Sequence, residues 1–411
     1  MKRISALIIG AGQAGLAMSH HLSARSVPNV ILERGEVANS WKTERWDSLR
    51  LLTPNWQSRL PGHAYAGDDP DGFMSVAQTA KFLDTYAATI TAPIETRTTV
   101  TRVRRIGDDY EVETNRGLWS CRNIVLASGA CNRASIPQFS TGIPESIDQL
   151  SPLAYRNPSQ LRPGGVLVVG ASATGVQLAA ELRAAGHDVM LAAGHHVRMP
   201  RFYRGRDIQW WMDRSGLLST TVAEVDDLQR ARAVPSLQLV GEASTRFLDL
   251  NTLQSAGVEI VGRFTGLRDR TALFSGGLAN ATALSDLKMN RALDGFDAWA
   301  AEAGLTDLPA PERFAPTKVA EAPRLSLDLA RGRISTILWA TGFRPDFDWL
   351  HLPVFDHKSR LAHEGGVVAR GLYVLGLPFL RKRNSTLIDG VGADAAALAD
   401  HLVSTNVRHA A

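Results

Sequence analysis

A chain that opens with a strand, a glycine-rich turn, a helix and a second strand has few folds open to it. Residues 4–33, ISALIIGAGQAGLAMSHHLSARSVPNVILE, read that way. An apolar strand over Ala6 to Ile9 runs into Gly10, Gly12 and Gly15. Gly10 permits the tight turn, Gly12 lets the backbone approach a pyrophosphate, and Gly15 lets the helix lie close on the sheet. The helix N-terminus then offers free N–H groups and partial positive charge to phosphates. Glu33, ending the second strand, is placed to accept hydrogen bonds from ribose hydroxyls.

The same organisation returns at residue 165, in GVLVVGASATGVQLAAELRAAGHDVMLAAG, with Gly170, Ser172 and Gly175 in the loop. Ser172 replaces the middle glycine with a small side chain. Here the second strand ends at Ala193 and Gly194 rather than at an acid, and His195, His196, Arg198 and Arg201 follow. An acid would repel a 2′-phosphate, whereas arginine accommodates one through charge-assisted hydrogen bonds. The second dinucleotide is therefore expected to be NADP rather than NAD, held by Arg198 and Arg201; Arg204 and Arg206 are left open as surface residues.

Two such units fit a chain of 411 residues, which exceeds the usual content of one compact core. Hydrophobic residues make up 45% and charged residues 21%, and no apolar run approaches a membrane span. The basic start MKRISALIIG has an apolar run too short for a targeting segment, so a cytoplasmic chain is expected. A formal charge of +4 would suit a polyanion only if the basic residues shared one face, and no nucleic-acid or membrane partner is expected. Cys121 and Cys131 lack CxxC spacing, which argues against a redox dithiol or a zinc site and suggests two buried or inert thiols.

Between and after the two units the chain reads as follows. Residues 39–62 form an ordered loop without clear period, carrying Pro54 and Pro61; residues 75–90 form a helix with Ser75 as N-cap. Three strands are expected around Thr98 to Arg104, Tyr110 to Thr114 and Asn123 to Ala127, the first two antiparallel. Residues 205–310 make a long excursion containing a helix with Ile208, Trp211, Met212 and Leu217 on its apolar face, the short strand VEIVGRF, and a helix near Ala283 to Ala303. Trp210 and Trp211 point to different faces, so one should meet another domain or a pocket wall. A strand over residues 334–340 and a final helix starting near Gly392 or Asp394 close the chain.

Several motifs carry a family resemblance: GAGQAG with Glu33, the Ser40–Trp41 pair, DSLRLLTP ahead of LPG, LASG, YRNP, GASATG and ATGFRPD. Across essentially its whole length the chain resembles the class B flavin-dependent monooxygenases, the flavin-containing monooxygenases and their plant YUCCA relatives. The resemblance implies an α/β fold of two Rossmann-like dinucleotide-binding domains, the NADPH domain inserted into the FAD domain. The divisions would be 1–157 and 326–411 for FAD and 158–325 for NADPH. It implies that Gly10, Gly12, Gln13, Ala14 and Gly15 hold the FAD pyrophosphate and Glu33 the adenosine ribose. Arg34, Ser40, Trp41, Leu52, Thr53, Gly129, Thr341, Gly342, Thr386 and Leu387 would complete the flavin surroundings. Gly170, Ser172, Ala173, Thr174, Gly175 and Gln177 would form the pyridine-nucleotide loop. Two positions depart from the family. Tyr155 of the linker motif is present but its histidine is Ser151, and the active-site asparagine falls at or near Thr53, Asn55 being displaced.

The activity so implied is transfer of one oxygen atom from O2 to a small organic substrate by N-, S- or Baeyer-Villiger-type oxidation through a peroxyflavin. Thr53 and Arg50 are the catalytic candidates; Arg45 and Arg50 are placed either to stabilise a peroxide anion or, equally, to meet a phosphate or the solvent. An NADPH-dependent flavin reductase or dehydrogenase without oxygenation is the alternative that Ser151 favours; a non-catalytic flavin-binding regulatory protein is the other. A homodimer is the default association for such a chain.

Overall fold

The computed structural model of the protein describes residues 1–244 and 247–407. Its first strand, Lys2–Ile9, sits in the middle of an eight-stranded sheet. Asn29–Leu32 pairs with it in parallel on one side, Ile9 opposite Leu32; Gly117–Leu126 pairs in parallel on the other, Ile9 opposite Leu126. Beyond these come Ile94–Glu95 at one edge and Leu372–Val374 and Val367–Ala369 at the other. Ala6 to Ile9 are buried on both faces, which explains why the run is continuously apolar rather than alternating. Val100–Ile106 and Asp109–Thr114 pair antiparallel, as the sequence suggests, and attach to Gly117–Leu126 as a meander. Ser75 caps Val76–Ala87 through a full capping box, its hydroxyl accepting from Gln78 N and its own N–H donating to Gln78 Oε1.

The second sheet has five parallel strands in the order Asp148–Leu150, Ile334–Trp339, Gly165–Val169, Val189–Ala193, Glu259–Gly262. This topology corrects the expected divisions at 157/158 and 325/326. Asp148–Leu150 and Ile334–Trp339 lie outside the expected NADPH domain, yet both belong to its sheet, and Ile334–Trp339 is the partner of the glycine-loop strand. Helix Ala173–Ala184 covers one face of this sheet. Three antiparallel strands, Phe264–Arg268, Thr271–Phe274 and Ser326–Asp328, cover the other, where Phe264 stacks on Trp339 with ring centres 5.8 Å apart.

The long excursion builds a small core of its own. Helix Ile208–Arg214 and the 25-residue helix Leu278–Glu302, one turn longer at its start than the periodicity suggests, bury Trp211, Met289, Leu293 and Phe296 together. Trp211 is fully buried and donates its Nε1–H to Tyr203 O at 2.8 Å, whereas Trp210 stays half-buried, edge-on to Trp211 and Trp299. Leu52 and Leu387, which come from the first unit, pack against this cluster. The excursion thus roofs the junction between the two units through these leucines.

Candidate dinucleotide-binding site

At the first glycine loop each glycine has a separate structural reason. Gly10 has φ +112°, and a Cβ there would stand 2.5 Å from Ala127 O; a Cβ on Gly15 would stand 1.9 Å from Gly10 O. Gly12 differs from both: its φ is −87° and a Cβ would meet nothing within 4 Å. The fold requires Gly10 and Gly15, while Gly12 keeps open the space in front of helix Gln13–Ala24. No side chain caps that helix, so its first N–H groups face the opening. Glu33 is buried and held by two backbone donors, Ala11 N at 2.8 Å to Oε2 and Gly35 N at 2.9 Å to Oε1. An ionised carboxylate has lone pairs to spare beyond these two, which suits ribose hydroxyls.

In front of this loop lies a cavity of about 510 Å³. Of the residues expected around a flavin, it brings together Gly10, Gly12, Gln13, Ala14, Glu33, Arg34, Ser40, Trp41, Gly129 and Thr386. Leu52 and Leu387 lie instead in the excursion's core, and Thr341 and Gly342 in a ribbon linking the two units, where Thr341 Oγ1 donates to Ser135 O at 2.6 Å. Asp346, the last residue of ATGFRPD, also lines the cavity, and so do residues outside every motif: Thr98, Asn132, Ser236 and Gly376. Gly376 carried a readable signal, since its φ is +81° and a Cβ would press on Ala14 at 3.2 Å. Ser236 carried none, because it arrives from the excursion. Arg45 stands over Trp41, and burial pulls its guanidinium below its ordinary range. Of the two thiols expected to be buried or inert, Cys121 is buried, and Cys131 is an exposed residue at the cavity edge whose thiol is pushed up by the burial of its sulfur.

The second loop repeats the geometry of the first. Gly170 has φ +111° with a Cβ position 2.3 Å from Ala340 O, and the Cβ position of Gly175 is 1.8 Å from Gly170 O. Ser172, like Gly12, is extended and immediately precedes a helix, Ala173–Ala184, that no side chain caps. Gln177 in the first turns of that helix donates to Leu239 O at 2.7 Å.

Arg198 and Arg201 are a correction. The Arg198 side chain is 4% exposed; it binds Asp249 and Asp286 at 2.8 Å each and donates to Ala315 O. Arg201, 1% exposed, holds Asp207 through Nε at 2.8 Å and donates from both terminal nitrogens to Leu52 O at 2.9 Å. Both turn inward because the chain after Val189–Ala193 dives into the excursion. Arg201 spends all five of its N–H donors on these partners and Val240 O, Arg198 four of its five, and both side chains are buried away from a nucleotide phosphate. The exposed groups at the strand end are His195 and Arg263, whose side chain passes 3.6 Å from where Gly194 would carry a Cβ.

The catalytic candidates are placed as follows. Arg50 is exposed and donates to Phe73 O at 2.9 Å, and neither it nor Thr53 lines the cavity, so Arg50 does not stand where it could stabilise an oxygen anion there. Tyr155 is fully buried beside Glu181, whose carboxyl burial raises and which accepts from Ser48 Oγ at 3.1 Å. The linker tyrosine thus joins the second helix to the loop after Trp46. Among the described residues two buried polar atoms without partners follow Thr53, Asn55 Oδ1 and Ser58 Oγ, and the buried Gln57 amide faces the Asp389 carboxyl from the C-terminal segment. Burial pushes the Asp389 carboxyl up to about 6, with Arg59 at 3.5 Å opposing the shift. No cluster of residues suited to a metal ion occurs among the described residues.

Comparison with known proteins agrees with this geometry. A sequence family described as pyridine nucleotide-disulphide oxidoreductase matches residues 7–204. An uncharacterized CzcO-like oxidoreductase of Geobacillus kaustophilus is 30% identical over 405 residues, covering 98% of this chain and 99% of the relative. A probable indole-3-pyruvate monooxygenase of Arabidopsis thaliana, YUCCA3, is 27% identical over 214 residues, 49% of this chain and 48% of that one. Among solved structures, a flavin-containing monooxygenase from Stenotrophomonas maltophilia superposes with a TM-score of 0.64 at 18% identity, covering 98% of this chain and 99% of that one. The chain belongs to the family of CzcO-like oxidoreductases, and it is similar to the class B flavin-dependent monooxygenases over about half of its sequence and in its fold. It is accordingly an oxidoreductase that binds a flavin and a nicotinamide nucleotide. No helix among the described residues is long and apolar enough to cross a membrane.

Proposed function

We propose that the protein is an NADPH-dependent FAD monooxygenase that transfers one oxygen atom from O2 to a small organic substrate. The observation that carries this reading is that one segment of the excursion touches both units: Ser236 lines the cavity before the Gly12 loop, and Gln238 two residues on donates to Ala171 O in the second glycine loop. When bound, the flavin supplies hydride acceptance from reduced nicotinamide and electron delivery to O2, one oxygen atom leaving in the product and the other as water.

The chain's own residues do the rest. The uncapped helix at Gln13 and the open position at Gly12 receive a pyrophosphate, and Glu33 accepts from the adenosine ribose. Leu52, Leu387 and the Trp210–Trp211 helix keep water from the junction, and a dry site strengthens the hydrogen bonds inside it. His195 and Arg263 take over the 2′-phosphate role from the two buried arginines; guanidinium and phosphate pair with charge-assisted hydrogen bonds. Asn55 Oδ1 and Ser58 Oγ, buried without partners among the described residues, leave polar groups available in the stretch just after Thr53. A dithiol reductase is disfavoured by one buried and one exposed cysteine that lie on different segments.

The test is anaerobic reduction by NADPH followed by oxygen, with hydrogen peroxide and NADPH consumption measured together. A delay before the oxidised spectrum returns, with peroxide well below NADPH consumed when a sulfide or amine is present, supports the proposal. Immediate reoxidation with equal amounts of peroxide favours a plain reductase or oxidase. Failure of NADPH to bleach the flavin removes both.

A further inference from the structure

The two glycine loops are each tied at the same atom. In the first, Ala11 O accepts from Ala38 N at 3.0 Å, and the residues that follow, Asn39, Ser40 and Trp41, line the flavin cavity. In the second, the equivalent carbonyl, Ala171 O, accepts from a side chain, Gln238 Nε2, at 2.7 Å. Residues 236–241 therefore stand across the second loop where 38–41 stand across the first. Three further contacts fix this segment. Gln238 N donates to Val197 O at 2.9 Å, Leu239 O accepts from Gln177, and Gly241 lies so close to the Arg50–Leu51 backbone that a Cβ would be 2.3 Å from Leu51 O. Ser236 meanwhile reaches the flavin cavity. The segment is a saddle between the two crevices, where a nicotinamide ring must lie to face a flavin.

Gln238 is 1% exposed. Its orientation is settled by chemistry, because Ala171 O can only accept and the amide nitrogen must face it. The amide oxygen then points elsewhere, and among the described residues it has no donor. A buried acceptor without a donor is a rare feature that calls for a partner. Phosphate oxygens are themselves acceptors and would be repelled there, and the adenine end lies away, at the end of Val189–Ala193. The nicotinamide carboxamide brings two N–H donors to this place. We infer that Gln238 Oε1 accepts a hydrogen bond from the carboxamide of the nicotinamide ring and so sets which way that ring lies over the saddle. This rests on the reading that the second unit holds NADP(H).

The test is equilibrium binding to the FAD-loaded protein by calorimetry, with NADP+ and with 3-acetylpyridine adenine dinucleotide phosphate, whose methyl ketone lacks the N–H donors. The wild type should prefer NADP+ by about tenfold, the worth of one well-made buried hydrogen bond. Gln238→Met removes the acceptor and should bring the preference close to one while leaving analogue affinity within about twofold. Gln238→Glu keeps an acceptor and loses the tie to Ala171 O, and should retain the preference. Equal weakening of both ligands in both variants, or a preference that survives Gln238→Met, overturns the inference and leaves the second site standing. A wild type that binds neither ligand overturns the nucleotide reading itself, and the inference with it.

Discussion

Gly10 and Gly12 are two residues apart and chemically identical, yet the structure separates their roles into quantities that can be measured independently. At Gly12 the backbone is extended, φ −87°, and a methyl group would occupy empty space. Gly12→Ala should therefore leave the apoprotein as stable as before or raise its stability by ~0.5 kcal/mol, through the reduced freedom of the unfolded chain. The same methyl stands where a pyrophosphate must approach the helix N-terminus. Losing one or two charge-assisted contacts there should weaken FAD by about 10- to 100-fold. At Gly10 the outcome is reversed in kind. A Cβ would be forced 2.5 Å from Ala127 O at φ +112°, a conformation that costs an L-residue ~1–2 kcal/mol, with ~1–3 kcal/mol more for overpacking. Gly10→Ala should thus lower apoprotein stability by roughly 2–5 kcal/mol. Thermal unfolding of both apoproteins and fluorescence titration with FAD give the two numbers. A Gly12→Ala protein that binds FAD as tightly as wild type would refute the placement of the pyrophosphate, and so would an apoprotein as unstable as that of Gly10→Ala.

Three further outcomes follow from the site. Arg198→Ala leaves Asp249 and part of Asp286 buried without their partner, so it should cost about 3–5 kcal/mol of stability by denaturant melts without altering the NADPH-to-NADH affinity ratio. Arg263→Ala combined with His195→Ala should lower that ratio at least tenfold with stability little changed, as expected for exposed groups that meet a phosphate. The raised Asp389 carboxyl means the folded protein holds a proton that the unfolded chain has released between about pH 4 and 6, so stability falls as pH rises through that window. Asp389→Asn should flatten that slope and stabilise the protein at pH 7 by as much as ~3 kcal/mol, read from denaturant melts at pH 4.5 and 7; a wild type with no slope in that range contradicts the assignment.

Much of the fold was legible because it follows from local constraints. Gly10 and Gly170 sit at φ values that other residues resist, Gly15 and Gly175 lie against loop carbonyls, and the strands before them are apolar without interruption because both faces are covered. Ser75 announced its helix as an N-cap ahead of apolar residues at helical spacing. What escaped reading depends on partners distant in the chain. Arg198 and Arg201 follow the second strand in the pattern of phosphate ligands, and nothing nearby reveals that Asp249, Asp286 and the carbonyl of Leu52 claim them. The strand Ile334–Trp339 looked like the start of the returning FAD portion, because sequence order does not disclose which sheet a strand joins. Ser236 and Gln238 belong to no motif. Their place at the site comes from the path of the excursion, which is a property of tertiary packing.

The ribbon in which Arg133–Ala134 pairs antiparallel with Phe343–Arg344 is where the chain leaves the first sheet and where it comes back. Arg133 bolts the two passages together through Asp346 and Asp348 at 2.8 Å each. A body hung on a single thread can spin and tilt at will, but one suspended from two adjoining threads can only twist about the line they share. The second sheet is thus held to the first by two paired crossings rather than one, and the Arg201 contacts with Leu52 O and the Ser48 contact with Glu181 add further ties away from that line.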